Sequence, residues 1–142
     1  ATQVDTYFNV NVHTTSGGLV MGGAGGHSDC AAGSKLSIIL TPTVRRRLPM
    51  VVDRVTCIST PGSTVDVIVT QHGIAVNPRN KDLQLRLQNS GLPVTDIETL
   101  KNTAEKITGI PSPLKHGKKA VANIMYRDGS LLDQVYCIDT DK

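Results

Sequence analysis

The chain has 142 residues, with 15 Lys and Arg against 12 Asp and Glu, a formal charge of +3, 39% hydrophobic residues and only 3% aromatic ones. This is the size and composition of one globular domain with a true core. The weak positive charge and the lack of Trp leave neither an electrostatic footprint nor a stacking platform for nucleic acid. No apolar run nears the roughly 18 residues of a membrane span, and Ala-Thr-Gln-Val-Asp at the start has neither the basic nor the apolar region of a secretory leader. A cytoplasmic protein is expected. Cys30, Cys57 and Cys137 are far apart in sequence and lack C-x-x-C spacing, so they read as reduced, mostly buried residues. His13, His27, His72 and His116 are scattered singly, which predicts no metal site.

Residues 7–12 alternate Phe8, Val10 and Val12 with Asn9 and Asn11, the pattern of a half-buried strand. Gly17-Gly18 marks a turn before the short apolar piece Leu19–Met21. A brief helical turn at Cys30–Ala32 would take Ser28 or Asp29 as its cap. Leu36–Leu40, apolar at nearly every position, predicts a strand covered on both faces. Prolines keep Thr41–Pro49, with its Arg45-Arg46-Arg47 run, out of a central strand or helix. Val51–Ile58, Val65–Thr70 and Ile74–Val76 predict strands, the first two separated by a Pro61-Gly62 turn. Residues 80–90 predict a helix stopped by Gly91. Thr95–Thr108 predicts a second helix, with a Thr95/Glu98 capping box, a stripe of Ile97, Leu100, Ala104 and Ile107, and Gly109 as its stop. Lys115–Lys119 reads as an exposed loop, and Asp128-Gly129 joins Ala120–Tyr126 to Leu131–Ile138 as a hairpin. The whole is an α/β domain.

The glycine cluster Gly22, Gly23, Gly25 and Gly26 is the one feature whose composition demands a reason. Glycines persist where a chain turns sharply or where a ligand must approach the main chain. If a helix follows, free N–H groups there suit a phosphate, a carboxylate or the oxyanion of a thioester; a tight strand-to-helix crossing with nothing bound is the plain alternative. A dinucleotide fingerprint fits poorly, because Gly23-x-Gly25-x-x-Ser28 lacks the third glycine and Asp53 comes late. His27 and Asp29 could pair as base and orienter, but a solvated loop histidine and a capping aspartate are the default. The arginine run attracts anions or is simply a solvated or inter-subunit face.

Gly-Gly-Ala-Gly-Gly-His-Ser-Asp-Cys-Ala-Ala-Gly-Ser-Lys at 22–35 resembles the glycine-rich segment of the citrate lyase alpha chain family, the citrate CoA-transferase subunits. Six further stretches carry the likeness: Val4–Val12, Pro49–Thr56, Thr60–Asp66, Thr70–Arg79, Ile107–Pro113 and Tyr126–Gly129. The resemblance implies a CoA-transferase-like open sheet with flanking helices, and residues 1–142 as the C-terminal domain of a longer subunit. It implies exchange of acetyl for citryl on a CoA-type thioester, either an acyl carrier protein's prosthetic group or acetyl-CoA, in an oligomeric complex with beta and gamma chains. A glutamate carboxylate attacks the thioester in such transferases; the family's glutamate lies upstream of the matched segments, and neither Glu98 nor Glu105 stands in for it. The resemblance further places Gly22, Gly23, Gly25 and Gly26 along the pocket for the thioester arm, with His27, Ser28 and Asp29 at its edge. Thr60–Ser63 and Asn77-Pro78-Arg79 are expected to be structural. The run Arg45-Arg46-Arg47 departs from the family's Arg-Gly-Arg. Two other classes stay open on the residues alone: a non-catalytic ligand-binding or scaffolding module, and a Rossmann-like nucleotide binder.

Overall fold

A computed structural model describes residues 1–139. Along the chain run β1 (Gln3–Asp5), β2 (Val10–Asn11), α1 (His27–Gly33), β3 (Ile38–Leu40), β4 (Val44–Arg45), β5 (Leu48–Pro49), β6 (Val51–Val52), β7 (Val67–Thr70) and β8 (Gly73–Val76). They are followed by α2 (Lys81–Asn89), β9 (Val94–Thr95), α3 (Ile97–Thr108), β10 (His116–Met125) and β11 (Leu131–Ile138). The α/β class, the flanking helices and the C-terminal hairpin are all present. The strands divide into a four-stranded mixed sheet ordered β3-β7-β8-β9, a three-stranded sheet ordered β2-β1-β6, and two hairpins, β4-β5 and β10-β11.

The core joins the two larger sheets under α3. Val4, Phe8, Val10, Ile39, Val51, Val65, Ile68 and Ala75 meet Ile97 and Leu100 there. Helix α3 follows the predicted stripe through Ile97, Leu100 and Ala104, whereas Ile107 is 57% exposed. Its cap is Asp96, not Thr95: the Asp96 carboxylate accepts from Thr99 N at 2.7 Å and from Thr99 Oγ1 at 2.9 Å. Thr95 is used instead in β9, opposite Ala75 of β8. Helix α2 is capped by Asn80 and buries no residue.

Several expected elements take other forms. The predicted strand at 7–12 is broken, because Phe8 has φ 65° and the chain turns there. The cause is Asp5, whose Oδ1 accepts from Tyr7 N at 3.0 Å and Asn9 N at 2.9 Å while Oδ2 accepts from Asn9 Nδ2 at 3.1 Å. Burial pushes the Asp5 carboxyl above its ordinary range, and the donated bonds from Asn9, Val55 and Tyr7 pull it back. Strand β6 stops at Val52, since the following residues bend away to donate to Asp5 and Gln3. Strand β3 is an edge strand with one open face, leaving Ile38 51% and Leu40 71% exposed. His116–Lys119 belongs to strand β10, not to a loop. Cys30 is exposed and Cys137 half-buried, so only Cys57 is a core cysteine. The arginine run is exposed and forms the tip of the β4-β5 hairpin, with Arg46 at φ 57°. That left-handed backbone costs a non-glycine residue about 1–2 kcal/mol, and it lies at the position where the resembling family has glycine.

Candidate functional site

Residues 22–26 leave the single Thr14–Val20 bridge and turn into α1 without a strand before them. This is not the strand-loop-helix context of a dinucleotide fingerprint. Gly25 has φ 56°, a conformation that favours glycine. A side chain added at Gly22, Gly23 or Gly25 would meet no atom within 4 Å, and one at Gly26 would meet only Cys30 Sγ at 3.7 Å. The bend is therefore open rather than packed. The N–H groups of residues 22–26 have no hydrogen-bond partner among the described residues. Helix α1 is seven residues long and its N-cap is Gly26, so Ser28 and Asp29 sit inside its first turn instead of capping it.

A cleft of about 220 Å³ opens beside this bend, lined by Gly25, Ser28, Asp29, His13, Ser59 and the hairpin segment 123–127. Its floor is fixed by hydrogen bonds. Ser59 Oγ accepts from Val12 N at 2.9 Å and from His13 N at 3.3 Å, which occupies both of its lone pairs. Ser59 Oγ also lies 2.6 Å from His13 Nδ1. His13 Nε2 has no hydrogen-bond partner among the described residues. Burial lowers the His13 pKa and keeps the ring neutral. Ser28 Oγ is buried and likewise without a hydrogen-bond partner. The far wall is the β10-β11 hairpin, anchored by Ile124, Val135 and Leu132 against Cys57 and by Ile58 N donating to Asp133 Oδ2 at 2.7 Å. That anchorage brings Arg127 to 4.0 Å from Asp29.

Residues 1–138 match the family described as Citrate lyase, alpha subunit (CitF). The chain belongs to the citrate lyase alpha subunit family. It is 50% identical to the citrate lyase alpha chain of Escherichia coli K12 over 136 residues and 50% identical to that of Klebsiella pneumoniae over 135, covering 96% and 95% of this chain. It also superposes, with a TM-score of 0.94 and 47% identity over 99% of its length, on a crystal structure described as the alpha subunit of citrate lyase from Streptococcus mutans in complex with citrate. The chain spans about a quarter of these relatives: 27% of each bacterial alpha chain and 28% of the crystallised one.

Among the residues that the citrate lyase alpha resemblance singled out, Gly25, Ser28 and Asp29 line the cleft, while Gly22, Gly23, Gly26 and His27 do not. His27 turns away, its Nδ1 lying 2.7 Å from Thr60 Oγ1. Burial lowers its pKa. In the second-tier segments, Asn77 Nδ2 donates to the Gly62 and Val65 carbonyls at 3.0 and 2.8 Å. Sequence reasoning missed His13, Ser59, Asn123, Tyr126 and Arg127, of which only the hairpin turn left a local signal. A larger groove of about 700 Å³, walled by Leu48, Pro49, Val55, Ile110, Pro111 and Leu114 among others, contains none of the expected site residues. No group of three or more His, Cys, Asp or Glu among the described residues could hold a metal ion. No described helix is long and apolar enough to cross a membrane.

Proposed function

We propose that this chain forms one wall of the thioester site of a citrate CoA-transferase, in which the acetyl group of a CoA-type thioester is exchanged for citryl and acetate is released. The observation that carries the reading is the row of unpaired main-chain N–H groups at Gly22, Gly23, Ala24, Gly25 and Gly26, open to approach because four of the five residues lack side chains. Such donors suit a carbonyl oxygen that gains negative charge as a thioester is attacked. Membership of the citrate lyase alpha family and the citrate in the Streptococcus mutans relative support the same chemistry. In this reading the attacking carboxylate is a glutamate of the full-length subunit outside these residues. The thioester is borne by an acyl carrier chain or CoA, and a beta chain cleaves the citryl product. His27 holds the start of α1 to Thr60 and so sets where the glycine bend meets the helix.

The test is Gly26→Val in a full-length subunit. Gly26 has φ −85° and room at its Cβ, so the variant should stay folded. Crowding the donors should lower acetyl-citryl exchange about 10²-fold or more. It should also reduce the hydroxylamine-sensitive adduct formed with acetyl-CoA. An unchanged exchange rate would refute the assignment.

A further inference from the structure

The four-stranded sheet is apolar on both faces, and only one of them is fully covered. Side chains alternate along a strand, and residues paired across neighbouring strands share a face. Ile39, Ile68 and Ala75 are paired in register on the inner face, where they meet Ile97 and Leu100 of α3 in the core. The same register puts Ile38 and Leu40 of β3, Val67 and Val69 of β7, and Ile74 and Val76 of β8 on the outer face. None of these six is polar, whereas a sheet face that meets water reads polar. Val67 and Val76 are buried, and Val69 and Ile74 are half-buried. Towards the β3 edge the cover gives out, leaving Ile38 51% and Leu40 71% exposed. Leu36, just before the strand, is exposed as well. No described α-helix closes this side: α3 lies on the inner face, α2 buries no residue and α1 buries only Ala31.

We propose that an amphipathic helix from another part of the same full-length subunit lies on this outer face and closes it over Ile38, Leu40 and Val69. Strands that pair in parallel, as β3 does with β7 and β9 with β8, belong to sheets whose two faces are covered by helices. This chain accounts for 27% of the bacterial alpha chains and 28% of the crystallised one, which leaves about three-quarters of a subunit to supply the cover. The contact side of the helix is a stripe of aliphatic residues spaced three and four apart, because the face offers branched side chains and no polar partner. The cover also guards β3, whose free edge and apolar surface otherwise invite pairing with another chain. The inference rests on membership of the citrate lyase alpha family and not on the thioester reading.

The experiment uses a full-length subunit. With Leu40→Cys, the new thiol should react with a maleimide at least about 10²-fold more slowly than in the same variant unfolded in urea. The rate is read by mass spectrometry of the peptide that contains position 40. Photo-leucine, a diazirine analogue close to leucine in shape, then identifies the cover in the wild-type sequence, whatever the cysteine variant does to folding. On irradiation, the peptide spanning Leu36 and Leu40 should join a peptide of the same subunit from outside residues 1–142, at points three or four residues apart. Mixing isotope-labelled with unlabelled subunits separates links within one chain from links between two. Labelling of Leu40→Cys within about tenfold of the unfolded rate would overturn the proposal. So would links between labelled and unlabelled subunits, which mark a second copy as the cover. Failure of that peptide to link to anything beyond residues 1–142 would overturn it too.

Discussion

Two neighbouring turns rely on glycine for opposite reasons. At Gly62 a Cβ would overlap the carbonyl oxygen of Tyr7 and come within 2.8 Å of Phe8 C and 2.9 Å of Asn9 N. The missing side chain there lets one stretch of backbone lie against another, and Asn9 Oδ1 closes the contact by accepting from Gly62 N at 2.9 Å. At Gly22, Gly23 and Gly25 the missing side chains leave space that no described atom fills. Both turns carry glycine in the sequence, four of the five residues at 22–26 and a single one at Gly62. Only the surroundings show that one is a structural joint and the other an opening. The two are linked, because Thr60, two residues before Gly62, holds His27 at the start of α1.

The largest effect that tests this contrast is Gly62→Ala. Neither the Tyr7–Asn9 turn nor the Asn77 bond to the Gly62 carbonyl can yield without disturbing β1 and the core around Phe8. The substitution should cost about 3 kcal/mol or more by denaturant unfolding. A loss below about 1 kcal/mol would show that the joint is slack.

A middle-sized effect concerns the histidines that flank the opening. Burial lowers the pKa of both His13 and His27. Around pH 6.5 the unfolded chain therefore takes up protons that the folded chain refuses until lower pH. The stability contributed by the neutral rings is complete above that pH and is lost as pH falls through it. Asp5, raised by burial, acts in the opposite sense, its contribution growing as pH falls. The Tm of this chain should thus decline between about pH 7.5 and pH 5.5, and His27→Gln should flatten the decline. An equal slope in the variant would show that His27 does not drive it.

Much of the fold could be read locally. Helix α3 obeys its stripe because Ile97, Leu100 and Ala104 fall on one face over the sheets, and the Asp128-Gly129 turn forms the predicted hairpin. The failures have physical causes outside the local pattern. Tyr7–Val12 alternates correctly, yet the Asp5 carboxylate gathers N–H groups from Tyr7 and Asn9 and bends the chain before a strand can form. Thr95 and Glu98 make a formal capping box, but β9 claims Thr95 for the sheet and the cap moves to Asp96. The glycine bend was legible by composition, since so dense a cluster has few other uses. The other wall of the cleft was not. His13 meets Ser59 across 46 positions of sequence, and Arg127 reaches Asp29 only because the hairpin docks on Cys57 and Ile58.

The smallest stability effect sharpens the contrast most. Gly23 has no neighbour within 4 Å of an added Cβ and lacks the positive φ of Gly25. Alanine there should leave the folded state unstrained and restrict the unfolded chain, so Gly23→Ala should keep stability or raise it by about 0.5 kcal/mol. If the bend serves only the fold, exchange by the full-length subunit should be as indifferent as its stability. A methyl group projecting into space kept clear for a thioester would instead lower the exchange rate while the unfolding midpoint holds or rises. Stability and activity moving in opposite directions at Gly23, but falling together at Gly62, would separate a glycine kept for a ligand from one kept for the backbone.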